Sequence, residues 1–314
     1  MAPGTATLIR ERTALASRLR PARYHAAMPA FRVALVQLEA NDDVTANLER
    51  AVRLGDAAAA TGARLVAFPE YVQFRGADAG YRASAEPVPG ATTAPFADLA
   101  RRHGCWVLAG SVAESSDDPN RPYNTSTLIG PDGRVVAVYR KLHLFDIAVD
   151  AGPADTESAR VSAGDRAVVA DVDGVRIGLS ICYDLRFPEL YRSLALAGAH
   201  LLAVPAVFTE RTGRDHWEVL LRARAIENAA FVIAPAQHGR GVPNGIAAFG
   251  RSMVVDPWGT VIAQAPDGEG IVTADLDLER VAAVRRQIPA LANRRPDALP
   301  SSREVEVAGG SDAR

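Results

Sequence analysis

Lysine is almost missing from this chain. Of its 314 residues 35 are Lys or Arg, and all but Lys141 are arginine. Arginine thus fills every position that needs only a positive charge, so the surviving lysine asks for a reason. Arginine carries its charge on a wide planar fork, whereas lysine offers a compact ammonium that fits a small pocket. Cysteine is nearly as scarce, with Cys105 and Cys182 alone. Two thiols in so long a chain exclude a disulfide framework and fit a reducing, cytoplasmic setting. No apolar run reaches the length needed to span a membrane. There is no excess of positive charge either: the formal net charge is −2, which excludes a basic field of the kind that holds a nucleic-acid backbone.

With 48% hydrophobic residues, the chain can bury one large core. Residues 1–29 differ from the rest. They carry Arg10, Arg12, Arg18, Arg20 and Arg23 against a single acid, Glu11. An Arg-rich, acid-poor leader has the composition of a mitochondrial transit peptide, but its helical amphipathicity is weak. A disordered extension, or an upstream start in place of Met28, fits better. The polar, Gly-containing tail, residues 298–314, is expected to be disordered.

Between these ends, residues 30–297, short apolar runs alternate with helical patterns and hairpins. FRVALVQL (31–38), ARLVAFPE (63–70), CWVLAGSVAE (105–114), HLLAVPAVF (200–208) and AFVIAPAQ (230–237) read as strands. Helical spacing covers residues 47–62, 95–103, 188–198 and 215–228, the last capped by Asp215, with a final helix near 278–287. Asp-Gly turns at 132–133 and 173–174, and a turn at 256–259, mark hairpins. Helices and hairpins interleave without a linker, which predicts one α/β domain, and the hairpins exclude a wholly parallel sheet. Two mixed sheets packed face to face and covered by helices absorb this many strands.

Three strand patterns end on residues foreign to a core. LVAFPE ends on Glu70, VVAVYRK on Lys141 and IGLSIC on Cys182. Open α/β sheets place ligands at the carboxyl ends of strands, so the three groups are candidates for one pocket. Each has a plainer explanation: a surface carboxylate, an ion-paired lysine, a buried small thiol. Cys105, inside GCWVLAG, takes that plain reading. Cys182 instead precedes a polar turn opening a helix, where the helix dipole activates a thiol.

FPE (68–70), RKLHLFD (140–146) and ICYDLRFPEL (181–190), in that order, resemble the Glu-Lys-Cys triad of the nitrilase superfamily of carbon–nitrogen hydrolases. The resemblance runs from about Phe31 to Arg295. TGRDHWEVLLRARAIENAAFV (212–232) and GRSMVVDPWGT (250–260) are similar to the branch of omega-amidases and deaminated glutathione amidases, with RFPEL, RARAIE and AQHGR (236–240) leaning to the latter. The resemblance implies a four-layer α-β-β-α sandwich with two mixed β-sheets, and a homodimer or higher homo-oligomer formed by sheet extension near the cysteine segment. It implies Cys182 as nucleophile, Glu70 as general base, and Lys141 with the backbone N–H of Tyr183 as oxyanion donors. Glu157, in DTES (155–158), maps to a second family glutamate that orients the lysine or the substrate.

A Cys-His pair is the rival design, and His143 and His216 lie within the quoted motifs. Both are read as structural, His143 fixing its loop and His216 the start of its helix. His143 alternates with Lys141, which puts the two on one side of the chain if that segment is extended. Without three or four converging ligands no metal is expected, nor an organic cofactor. The implied activity is water-dependent hydrolysis of a small carboxylate-bearing amide, deaminated glutathione first. Omega-amides of 2-oxo acids and nitriles are same-class alternatives, and an idle homologue serving as an interaction protein is the different-class one. YVQFRGADAGYR (71–82) and GRGVPNGIAAFG (239–250) depart from the amidase loops, which leaves the substrate least defined.

Overall fold

A computed structural model describes residues 30–148, 154–242 and 245–296. The expected extension over 1–29 and the tail over 298–314 lie outside them. The alternation of β1 (Phe31–Gln37) decides the layering. Its Phe31, Val33 and Leu35 enter one apolar cluster with Val172, Ile177 and Leu201 of a second sheet. Its Ala34 and Val36 point the other way, onto Ala51 and Ala58 of α1 (Val44–Ala59) and Leu99 and Ala100 of the helix over Ala94–His103. Period-two alternation thus buries both faces of one strand.

The first sheet is completed by β2 (Leu65–Ala67), β3 (Trp106–Leu108), β4 (Val112–Glu114), β5 (Tyr123–Ile129) and β6 (Val135–Arg140), with a late strand, Gly270–Leu276, antiparallel to β1. α2 (Asp78–Ala83) and α3 (Ala94–His103) lie in the connection between β2 and β3. After the short ribbon β7 (Asp146–Ala148) and β8 (Ala154–Thr156) comes the second sheet: β9 (Val168–Val172), β10 (Val175–Leu179), β11 (Leu201–Ala203), β12 (Phe231–Ala234), then β15 (Met253–Val255) and β16 (Val261–Gln264) beyond the ribbon β13 (His238–Gly239) and β14 (Ala248–Phe249). The strand antiparallel to β1 is β17, and α6 (Glu279–Gln287) closes the described chain. β1–β2–β3 and β10–β11–β12 are parallel, while their flanks are antiparallel. α4 (Pro188–Leu196) and α5 (Glu210–Asn228) supply Leu194 and Trp217 to the core around the second sheet. Gly178 lets α4 approach β10, since a Cβ there would stand 2.9 Å from the Leu194 Cβ. The chain is an α-β-β-α sandwich with two mixed sheets.

Several element bounds differ from the sequence reading. The strands expected over 63–70, 200–208 and 230–237 stop at Ala67, Ala203 and Ala234. Each is followed within two residues by proline (Pro69, Pro205, Pro235), which cannot donate to a ladder. The helix expected over 47–62 starts at Val44, where the Asp43 side chain accepts from the Ala46 N–H, and ends at Ala59. The helix expected from Asp215 begins at Glu210, and Asp215 is interior. Gly213 lies inside this helix, where a Cβ would meet Phe249 at 2.4 Å.

The run 105–114 is two strands broken at Gly110, which adopts φ +64. A Cβ at Gly110 would lie 2.0 Å from the Pro69 carbonyl oxygen, so the break lets this segment pass directly under the residue preceding Glu70. Gly110→Ala is expected to destabilise the fold by about 3 kcal/mol or more, from left-handed strain plus backbone overlap. A denaturant midpoint equal to the wild type would show that the segment gives way instead.

Candidate active site

The chemistry-bearing residues stand just beyond strand ends. Glu70 follows β2 by three residues and Cys182 follows β10 by three, one in each sheet, while Lys141 comes directly after β6. All three line one cavity of about 450 Å³ together with Glu157 and Tyr183. Glu70, Lys141, Glu157 and Cys182 are 1%, 2%, 1% and 6% exposed, so the charged ones must find partners inside.

They find each other. The Lys141 ammonium donates to Glu70 Oε1 at 2.9 Å and to Glu157 Oε2 and Oε1 at 2.9 and 3.2 Å. Glu70 Oε1 also accepts from Asn124 Nδ2 at 2.9 Å, and its Oε2 from the Val207 N–H at 2.8 Å. Glu157 opens a short 3-10 turn, Glu157–Ala159, and accepts from the Tyr71 hydroxyl and the Phe145 N–H, both at 2.6 Å. Burial alone would lower the Lys141 pKa, but the charges of Glu157 and Glu70 outweigh it and hold the ammonium well above its usual range. Burial likewise works against the Glu157 carboxylate; Lys141, Tyr71 and Phe145 overcome it and keep its pKa below the ordinary value.

Cys182 opens a second 3-10 helix, Cys182–Arg186, at φ +47. A non-glycine residue in that region is strained, and such strain gathers at functional sites. Its N–H donates to the Pro205 carbonyl at 2.9 Å. Burial and the neighbouring Glu70 carboxylate push the thiol pKa well up, against the opposing pull of Lys141. The resting thiol is therefore protonated and stands beside a carboxylate. Tyr183 is the second residue of this helix, where N–H groups lack an intrahelical acceptor.

Asp184 holds the turn in place. Its Oδ2 accepts from the Tyr139 hydroxyl at 2.7 Å and the Ile181 N–H at 2.8 Å; its Oδ1 meets the His143 N–H at 3.0 Å and His143 Nδ1 at 2.7 Å. The chain bends at Leu142 and His143 after β6, and His143 turns to Asp184 rather than to the cavity that Lys141 lines. Its ring stacks on Phe187 with centroids 3.7 Å apart. His216 is inside α5 rather than at its start, with Nδ1 3.2 Å from an Arg186 nitrogen. Neither histidine lines the cavity. Cys105 is buried in the apolar cluster beneath α1 and α3, away from it.

Tyr71, Asn124, Asp184 and the Val207 N–H were not assigned roles from sequence. For Asn124 a signal existed: residues 124–127 read NTST, four consecutive polar residues in a strand, all buried. Among the described residues, no group of three or more His, Cys, Asp or Glu could hold a metal, and no helix is long and apolar enough to cross a membrane.

A family model described as carbon-nitrogen hydrolase matches residues 32–286. Deaminated glutathione amidase of Synechocystis sp. strain PCC 6803 is 41% identical over 271 residues, spanning 85% of this chain and 99% of that protein. Human omega-amidase NIT2 is 39% identical over 270 residues, spanning 86% and 97%. The crystal structure of Saccharomyces cerevisiae Nit3, a member of branch 10 of the nitrilase superfamily, matches with a TM-score of 0.76 and 31% identity over 85% of this chain and 97% of that one.

Proposed function

The chain belongs to the carbon-nitrogen hydrolase family, and from that premise we propose that it hydrolyses a small carboxylate-bearing amide at Glu70, Lys141 and Cys182, through a cysteine thioester. The observation that carries this reading is the buried ammonium of Lys141 bound to two carboxylates at 2.9 Å in the cavity that also holds the Cys182 thiol. We assign the activity to a hydrolase domain over residues 30–297.

The protonated thiol needs a base, and Glu70 is the carboxylate beside it. Glu70 takes the Sγ proton as Sγ attacks the amide carbon; the new C–S bond moves the carbonyl π electrons onto oxygen. Lys141 and the Tyr183 N–H receive that oxyanion, with Glu157 holding the lysine. When the C–N bond breaks, Glu70 returns its proton to the departing nitrogen, which leaves as ammonia. Water then adds to the thioester with Glu70 as base, the C–S bond breaks, and carboxylate and free thiol result.

The substrate reading rests on the named relatives and on the wall of the cavity. Arg75, Arg186 and Arg240 line it, and none of the three has a salt-bridge partner among the described residues. Such a wall favours an anionic ligand. Deaminated glutathione is the first candidate and 2-oxo acid omega-amides the second, as the relatives of both names match over most of their length. A homodimer in the cytoplasm completes the proposal. The test is ammonia release from deaminated glutathione, a series of omega-amides, neutral amides of equal length and simple nitriles. Carboxylate-bearing amides are expected to lead by at least about tenfold, the scale of one charge-assisted hydrogen bond. Preference for nitriles would overturn the amidase reading, and no turnover of any compound would leave the interaction-protein alternative.

A further inference from the structure

Two carboxylates share the Lys141 ammonium, and only one of them can serve as the proton carrier. Like charges so placed disfavour joint ionisation, and the donors around each decide which one accepts a proton first. Glu70 is held at 2.9, 2.9 and 2.8 Å by Lys141, Asn124 and Val207. On Glu157 the shortest side-chain contact is not the lysine but Tyr71, whose hydroxyl donates at 2.6 Å, against 2.9 and 3.2 Å from Lys141 and 3.5 Å from Asn124.

Tyr71 reaches Glu157 from a backbone conformation that tyrosine rarely adopts, φ +55. The surroundings fix it there. Its N–H donates to Ser111 Oγ at 3.0 Å, its carbonyl accepts from Gln237 Nε2 at 3.0 Å, and its ring meets Tyr81 edge-on at 5.2 Å. Gln237 also holds the Glu70 carbonyl at 2.8 Å. One side chain from the segment between β12 and β13 therefore holds the backbone of both the base and its neighbour. Strain that is over-determined in this way points to a task. The charged and titratable groups facing this corner are Lys141 after β6, Glu70 after β2, Tyr81 on α2, Arg160 after the 3-10 turn, and Cys182. Arg160 is engaged by Asp155 and Asp78.

We propose that Tyr71 is a positioning residue that keeps Glu157 a permanent anion, so that Glu70 is the carboxylate that exchanges the Cys182 proton. This rests on the Glu-Lys-Cys reading above. Burial and the neighbouring carboxylates push the Tyr71 pKa well up, which keeps the hydroxyl a neutral donor.

The test is Tyr71→Phe, which removes the hydroxyl and keeps the ring. On the acid limb of the kcat–pH profile kcat is expected to fall about tenfold with KM little changed, because that limb moves up by about one pH unit, while kcat on the neutral plateau changes little. Tyr81→Phe, whose hydroxyl donates to the Tyr123 carbonyl and not to Glu157, is expected to leave that limb in place. 3-Fluorotyrosine at position 71, a stronger donor of nearly the same shape, is expected to move it down, and this serves if the Phe variant folds poorly. Titration of carbon-13-labelled glutamate carboxyls, with Glu157→Gln to assign the signal, follows Glu157 whether or not the protein turns over an amide. An unmoved acid limb and an unmoved Glu157 titration in Tyr71→Phe would overturn the proposal. A silent substrate panel with a shifted Glu157 would instead remove the amidase reading and leave the role of Tyr71 standing.

Discussion

Cys182→Ser is expected to lose about a thousandfold or more in kcat, while folding almost as the parent does. The residue enters the 3-10 turn at φ +47, and serine suffers the same backbone strain as cysteine, so the substitution adds none. Packing changes by one atom type at a site only 6% exposed. The chemistry changes far more. A carboxylate is a poor base toward a hydroxyl, whose proton is held much more tightly than a thiol's, and this cavity already disfavours the anion. Losing a nucleophile typically removes several orders of magnitude. With the native thiol, substrate plus hydroxylamine is expected to give a hydroxamate, because hydroxylamine intercepts the thioester ahead of water. Cys105→Ser is the control. It buries a hydroxyl in an apolar cluster and is expected to cost about 1–2 kcal/mol of stability with kcat preserved. Amide turnover by Cys182→Ser at the parent kcat would remove the thioester mechanism.

How far the sequence carried this site depended on the kind of signal each residue leaves. Glu70, Lys141 and Cys182 were legible because each interrupts an apolar strand pattern at its end, and because the motifs around them stand in a familiar order. β1 was legible as a strand, while its place between a helix layer and the second sheet came from the structure. Asp184 and Tyr71 left no such trace. Asp184 looks like any acid in a turn, and its four acceptor contacts come from Tyr139, Ile181 and His143, partners up to 45 positions away in sequence. Tyr71 sits next to Glu70, yet its contact with Glu157 spans 86 positions. The bounds that slipped have local causes: prolines that ended three ladders early, and Gly110 and Gly213, whose missing side chains answer close approaches of Pro69 and Phe249. Periodicity registers a glycine as an interruption and carries no information on what occupies the vacated space.

Lys141→Arg is expected to lose about 100- to 1,000-fold, mainly in kcat, although the charge is retained. The ammonium fits between two carboxylates, 2.9 Å from each, at 2% exposure. A guanidinium is wider and spreads its donors over a plane, so it engages one carboxylate as a fork or pushes the two apart. Either way the donor aimed at the developing oxyanion leaves its place. Loss of one such donor typically costs that range, felt in the transition state rather than in ground-state binding. Stability must be read alongside, because the cluster is structural as well. The Glu157 pKa is lowered in the folded state and that of Lys141 is raised. The glutamate's contribution is therefore present above its unfolded pKa and lost as pH falls through the folded one. The lysine's contribution is present below its unfolded pKa and lost as pH rises through the folded one. Lys141→Met, which strands two buried carboxylates, is expected to cost about 3–5 kcal/mol at neutral pH, and to recover part of that as acid protonates one of them. Lys141→Arg should melt between that variant and the parent. An ordinary surface ion pair would tolerate the exchange with small effects on rate and melting alike. Steady-state kinetics at a temperature where both proteins are folded separates the outcomes: near-parental kcat in Lys141→Arg would mean that the solitary lysine is an accident of composition and that another donor receives the oxyanion.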